Sequence, residues 1–288
     1  MWLRRKKPKW GLILMGGGAR GLAHIGVLDV FTQNNLIPDL IVGTSMGAIV
    51  GGLYAYGLTP AELKKIANQF SFPDYLLPLP FSRMIRTRPR TLLDFLLIDT
   101  YKTRLMKKMG LNQPDKIEMV FEKIVGEINI EELPLPFACN AVDLLGGQEI
   151  IFTQGKLAKA IRASMSLPFI FEPVSWNGHL LVDGGILNNA PIQAARQLGA
   201  TKTLLVDIHR PLQKLSRENI TNIFQLLQRL METMSHHLSL GKIQEADYIL
   251  RIDVPYDSLD FSRTSSIITT GEMAARENLD RIKKFLHL

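Results

Sequence analysis

Cysteine is nearly absent from this chain: Cys139 is the only one in 288 residues. An intrachain disulfide is therefore excluded. Cys139 stands in the apolar run Phe137-Ala138-Cys139 and reads as a small buried hydrophobe, consistent with a reducing, cytoplasmic compartment. Internal repeats, low-complexity tracts and linker-like stretches are also missing, so residues 1–288 are expected to form one domain. No membrane span is expected. Residues 40–61 carry no charge, but the run holds five glycines with Thr44, Ser45 and Pro60, and its pattern breaks after Val42. The basic N-terminus, with Trp2 and Trp10, lacks a long apolar segment behind it. Leu12–Met15 is short and Gly16–Gly21 interrupts it, so no cleaved leader is expected.

What the chain has in excess is positive charge. The formal net charge is +7 and the pI is near 9.5, which favours anionic partners such as phospholipid head groups, nucleic acid or acidic metabolites. With 46% hydrophobic residues and mean hydropathy near zero, it can bury a sizeable globular core.

The sequence is organised around Leu40-Ile41-Val42-Gly43-Thr44-Ser45-Met46-Gly47. The first three residues read as a buried strand, and Ala48–Tyr54 continues as an apolar helix. Gly-x-Ser-x-Gly between a strand and a helix is the pattern of a nucleophile elbow, a strained turn that leaves no room for side chains at its flanks. Ser45 then lies at a helix N-terminus, where free N–H groups and the dipole favour developing negative charge. Upstream, strand Gly11–Met15, loop Gly16–Gly21 and helix Leu22–Phe31 give a βαβα start and predict a parallel sheet. Thr59, Pro60 and Glu62 have the capping-box spacing of a helix start. Further helices are predicted at 114–125, 157–163, 192–198, 220–240 and 264–285. Further strands are predicted at 137–142, 149–152, 180–182, 203–208 and 248–252.

Residues 71–112 break this alternation. An apolar, proline-rich stretch is followed by Arg83, Arg86, Arg88 and Arg90, a leucine-rich run, and more lysines. This composition suits a lid or a membrane-facing insertion, and an anionic membrane surface is an expected partner. Nucleic acid is not expected, because the basic residues interleave with leucine and proline rather than with a reader module.

The chemical candidates converge on acyl transfer. Consecutive glycines at Gly16, Gly17 and Gly18 let backbone N–H groups face one point and form an oxyanion site. Arg20 and Met46 are supporting residues beside the loop and the serine. Gly16, Gly18 and Gly21 also fit a dinucleotide-binding spacing, but no acidic residue closes the second strand to meet a ribose. Two arrangements remain open for the base. Asp183, ahead of Gly184-Gly185, deprotonates Ser45 directly if it is poorly solvated. Alternatively Ser45, Asp183 and His209 form a triad in the chain order of α/β-hydrolases. His24 and His179 are weaker candidates, and His236 and His237 lack ligands at metal spacing.

Taken together, Gly16-Gly17-Gly18-Ala19-Arg20-Gly21, Gly43-Thr44-Ser45-Met46-Gly47, Asp183-Gly184-Gly185 and the block Ala163–Pro168 with Phe171–Val174 resemble the patatin-like phospholipase family, over roughly residues 10–210. The resemblance implies a three-layer α/β/α sandwich with a mainly parallel central sheet. It also implies a dyad of Ser45 and Asp183, an oxyanion hole at Gly16–Gly18, lipid ester substrates and no cofactor or metal. A catalytically quiet lipid-binding protein using the same pocket is the alternative. Head group, chain length and oligomeric state are not legible.

Overall fold

A computed structural model describes residues 9–69, 114–168 and 170–288. Its centre is a mixed eight-stranded sheet. The strands are β1 (Trp10–Leu14), β2 (Leu40–Gly43), β3 (Phe137–Asp143), β4 (Gln148–Phe152), β5 (Val174–Trp176), β6 (His179–Asp183), β7 (Lys202–Asp207) and β8 (Tyr248–Arg251). Their order is β5-β6-β3-β2-β1-β7-β8, with β4 paired to β3. The helices are α1 (Ala23–Gln33), α2 (Met46–Tyr56), α3 (Pro60–Gln69), α4 (Pro114–Val125), α5 (Leu157–Ser164), α6 (Ile192–Gln197), α7 (Ile223–Ile243), α8 (Thr264–Glu277) and α9 (Leu279–Leu286). Every residue of β1, β2 and β3 is buried, as expected of strands covered on both faces. The expected α/β architecture with a central sheet between helices is observed.

Two features of the sheet position the site. First, β1 pairs in parallel with β2 and β7, and β7 with β8, so their C-terminal ends open on one side. Second, β2 and β6 share one edge of β3. Cys139 pairs with β2 and β4, and Ala141 with β4 and β6, so β4 occupies the opposite edge from both. β2 is parallel to β3 and β6 is antiparallel, so their C-terminal ends run toward each other. They stop at Gly43 opposite Cys139 and at Asp183 opposite Ala141. Two residues of extended chain, about 7 Å, separate those register positions.

Several local expectations are met by visible chemistry. Thr59 and Glu62 form their reciprocal cap, with Thr59 N–H donating to Glu62 Oε2 at 2.8 Å and Glu62 N–H to Thr59 Oγ1 at 3.3 Å. Cys139 is fully buried, and burial pushes its thiol pKa well up. Others are corrected. Trp10, which the sequence groups with the basic N-terminus, is buried in β1 and meets Phe31 edge-on at 6.2 Å between ring centroids. The single C-terminal helix is two, α8 and α9, which meet at Asn278, where the side chain joins the backbone N–H in donating to Ala274 O. β5 is too short to show a period, but its hairpin with β6 turns on Asn177-Gly178, both at positive φ, a dipeptide that marks such turns in the sequence. The 71–112 lid or insertion and Trp2 lie outside the described residues. Among the described residues, no helix is long and apolar enough to cross a membrane.

Candidate active site

Ser45 joins β2 to α2 with φ 53° and ψ −119°, a backbone conformation that costs energy for any residue with a Cβ. The surroundings enforce it. A Cβ on Gly47 would lie 2.0 Å from Leu14 O, and one on Gly43 would lie 2.3 Å from Gly47 O. The turn is fixed further by Thr44 N–H to Leu14 O at 3.1 Å, Gly47 N–H to Thr44 O at 2.8 Å and Ser45 N–H to Ser164 Oγ at 3.0 Å. Although Ser45 is the N-cap residue of α2, its hydroxyl caps no helical N–H. Its side chain lies near enough to the Asp183 carboxylate to lower that group's pKa against the effect of burial.

Asp183 ends β6, arriving head-on from the other direction. Its N–H donates to Ser166 O at 3.0 Å, and its Oδ1 accepts from Gly185 N–H at 2.8 Å. Burial raises its pKa from 3.8 to about 6, and Ser45 and Gly185 offset part of that rise. The pair is thus a hydroxyl beside a carboxylate that is more basic than usual yet largely ionised at neutral pH.

The glycine loop follows β1, the strand next to β2. Gly16 is clamped at both ends of its peptide by Asn189: its N–H donates to Asn189 Oδ1 at 3.0 Å, and its C=O accepts from Asn189 Nδ2 at 3.1 Å. Ala19 N–H donates to Ser258 O at 2.7 Å. Gly18 adopts φ +56°, and a Cβ there would lie 2.1 Å from Ser258 O. Gly16 is therefore already committed, and the loop's remaining donors are Gly17 and Gly18, whose N–H groups bond to nothing else among the described residues. Met46 fills the space beside Gly21, where a Cβ would come within 2.5 Å of its Cγ, so it locks the loop to the elbow. The Arg20 guanidinium is pushed to a lowered pKa by burial and faces Asp257, Arg210 and Glu232.

The histidines are not brought to the pair. Ser45 and Gly185 are the groups that lower the Asp183 pKa, whereas His209 packs at a tilt against His236 with ring centroids 4.5 Å apart. Burial, then His236, Arg20 and Arg251, lower the His209 pKa to about 4. His24 is buried, neutral and bonded through Nε2 to Met15 O at 2.8 Å. His179 sits on Asp143 at 2.9 Å, the bond that most strongly holds that carboxylate down at about 2. Among the described residues, no group of three His, Cys, Asp or Glu is placed to hold a metal ion.

Two supports have no counterpart among the sequence motifs. Asn140 lies on β3 between the register positions of Gly43 and Asp183, fully buried. It accepts from Thr44 Oγ1 at 2.8 Å and donates to Asn188 O at 2.7 Å and to Glu149 Oε1 at 2.8 Å. Asn188 Nδ2 also donates to Glu149 Oε1 at 2.9 Å. The second support is the turn after α5. Ser164 Oγ holds the Ser45 amide and Ser166 O holds the Asp183 amide. Buried Arg162 fixes this turn by donating to Ser166 Oγ at 2.5 Å and to Glu172 O at 3.1 Å. Hydrogen bonds between distant small polar residues have no period or spacing to betray them. The only available signal is the sequence block around Ser164–Pro168, which carries no residue roles by itself.

Comparison with known proteins gives the family. The chain is 34% identical to an uncharacterized NTE family protein of Mycobacterium tuberculosis over 202 residues, covering 70% of this chain and 49% of that protein. It is 29% identical over 286 residues to "Lysophospholipase NTE1" of Candida albicans, covering 91% of this chain and 19% of that protein. The chain thus spans less than half the length of these curated relatives. Among solved structures, VipD from Legionella pneumophila superposes with a TM-score of 0.56 at 16% identity, covering 96% of this chain and 67% of VipD. Full-length ExoU of Pseudomonas aeruginosa, in complex with SpcU, gives 0.51 at 14% identity, covering 98% of this chain and 54% of ExoU. At those identities the structural matches speak for the fold alone. The profile of the patatin-like phospholipase family matches residues 12–196, which span the glycine loop, Ser45, Asp183 and the Asn189 clamp, and the chain belongs to that family.

Proposed function

We propose that the chain is a serine acyl hydrolase that cleaves lipid acyl esters of the phospholipid or lysophospholipid class at the water–membrane boundary, as a peripheral protein. The single observation that carries this reading is the strained Ser45 turn set beside the buried Asp183 carboxylate, whose pKa is raised to about 6. Ser45 Oγ attacks the ester carbonyl as its proton passes to Asp183. The carbonyl oxygen becomes an oxyanion opposite the Gly17 and Gly18 N–H groups, with the N-terminal dipole of α2 adding to the field. Collapse of the tetrahedral species expels the alcohol, which takes the proton back from Asp183. Water, deprotonated by Asp183, then attacks the acyl-enzyme and releases the fatty acid and the free serine. The family membership and the name of the Candida relative support a lipid ester as substrate.

The test is covalent labelling with a fluorophosphonate together with turnover of a short-chain chromogenic ester. Ser45→Ala is expected to abolish both while the protein stays folded. Asp183→Asn is expected to lower turnover by a factor of about 1,000 or more, since general-base catalysis and nucleophile activation are both lost. Labelling that persists in Ser45→Ala identifies another nucleophile and ends the reading. Binding of lipid by wild-type protein with no turnover of any ester supports a quiet lipid-binding protein instead.

A further inference from the structure

Helix α7 is amphipathic in the reverse sense. Its inner face is polar: Ser239 is buried, Ser235 Oγ donates to Gly185 O at 2.8 Å, and Lys242 Nζ donates to Leu187 O at 2.9 Å. Its outer face is apolar. Ile223, Leu226, Leu230, Met234 and Leu238 follow at steps of three and four residues and are 43–60% exposed. That spacing puts them in one stripe along the helix, about four turns long. Single exposed leucines need no account, but a continuous stripe on the far side from the protein body does. The helix is anchored through the turn that carries Asp183, so whatever meets the stripe is brought beside the candidate catalytic pair.

We infer that the outer face of α7 docks on an anionic lipid surface. The inference rests on the lipid-hydrolase reading for why a bilayer should be near, and on charge for the choice of occupant. Between residues 209 and 238 the chain carries Arg210, Lys214, Arg217 and Arg229 against only Glu218 and Glu232, in a protein of net charge +7. Leu215, on the approach to the helix, is a further exposed apolar residue. Two copies of this face brought together would set like charges against each other. An anionic bilayer meets the same face with attraction at the rim and an apolar medium for the stripe, the arrangement of an interfacial helix. Docking would present the Gly185 end of the site to lipid without requiring the substrate to leave the membrane for bulk water.

The experiment is co-sedimentation of the full chain with vesicles of equal parts phosphatidylcholine and phosphatidylglycerol. It is run in the Ser45→Ala background so that hydrolysis does not alter the vesicles. The inference expects binding that weakens with added salt, is poorer on pure phosphatidylcholine, and falls about tenfold or more when Leu226→Gln, Leu230→Gln and Met234→Gln are combined. Glutamine keeps helix propensity at exposed positions, and thermal unfolding of the triple variant checks that it is folded. Unchanged vesicle binding in the folded triple variant overturns the inference. So does a wild-type dimer in sedimentation velocity that the triple variant makes monomeric, since a second copy is then the occupant. The function reading fails separately: wild-type protein that binds vesicles through α7 but turns over no soluble ester leaves the docking face standing and removes the hydrolase.

Discussion

Ser45 and Asp183 reach the same place along one edge of β3, but the strands that deliver them are held differently. On the parallel side, β1 and β2 are locked by backbone against backbone. Gly47 lies where a Cβ would strike Leu14 O, and Thr44 N–H bonds that same carbonyl. On the antiparallel side, β6 is short and two of its five residues are only half-buried. Its end is held by the Ser166 carbonyl, and the chain just beyond it is tied through Asn188 to Asn140 and Glu149. Backbone collisions are all-or-none, whereas a side-chain network is a sum of moderate terms. The elbow should therefore tolerate almost nothing, and the aspartate side should fail gradually.

The largest effect is expected at the elbow. Gly47→Ala places a methyl group 2.0 Å from a main-chain oxygen that cannot move without disturbing β1. A loss of about 3 kcal/mol or more, or failure to fold, should appear in urea unfolding. An alanine variant within experimental error of wild type would show that β1 yields, and would remove the contrast at its root. Next is Asn140→Ala, which removes the 2.8 Å acceptor of the Thr44 hydroxyl and one donor each from the Asn188 carbonyl and Glu149 Oε1. About 2–3 kcal/mol is expected from losing these bonds. The sharper readout is a double-mutant cycle with Asn188→Ala. The two losses should sum to clearly more than the double variant loses. Strict additivity would mean that these residues act separately, not as one network.

This contrast also decides what is legible in the sequence. Glycines forced by close approach recur at fixed offsets around a serine, so the loop, the elbow and Asp183-Gly184-Gly185 stand out in the linear chain. Buried strands read as apolar runs, so seven of the eight strands can be placed to within a residue or two. The network residues are Asn, Ser and Glu from segments near 140, 149, 164 and 188, and each alone looks like an ordinary turn or surface residue. Asn189, which clamps Gly16, is hidden in Asn188-Asn189 for the same reason. The inverted polarity of α7 is also invisible: its apolar period is plain, but a period alone does not say which face looks inward.

The aspartate side also stores instability that titrates. Burial lifts the Asp183 pKa from 3.8 to about 6, so the fold favours the protonated acid. The sign follows from linkage. The folded value lies above the unfolded one, so this contribution is fully present below pH about 4 and is lost as pH rises through about 6. At pH 8 the ionised carboxylate costs about 3 kcal/mol relative to the acid. Asp183→Asn keeps a neutral acceptor for Gly185 N–H. It should therefore be more stable than wild type at pH 8 by about that amount, with the gap closing by pH 4. Thermal unfolding across this range measures it. Wild-type turnover should rise with pH through about 6, because only the ionised form accepts the serine proton. A variant less stable than wild type at every pH would mean that the carboxylate's bonds outweigh its burial.

The smallest effect is expected at Ser164, whose side chain is the partner of the Ser45 amide. Its hydroxyl is buried and accepts the Ser45 N–H at 3.0 Å. Ser164→Ala leaves that amide unpaired and opens little space, so about 1 kcal/mol of stability should be lost. The strained φ at Ser45 is still imposed by the close approaches at Gly43 and Gly47, so the serine should keep its position. Turnover should then fall by less than about tenfold at unchanged KM, corresponding to at most about 1.4 kcal/mol in the barrier. A hundredfold fall in kcat in a protein of near-normal stability would mean that backbone collisions alone do not hold the nucleophile. Both strands would then depend on the turn after α5, through the Ser45 amide on one side and the Asp183 amide on the other.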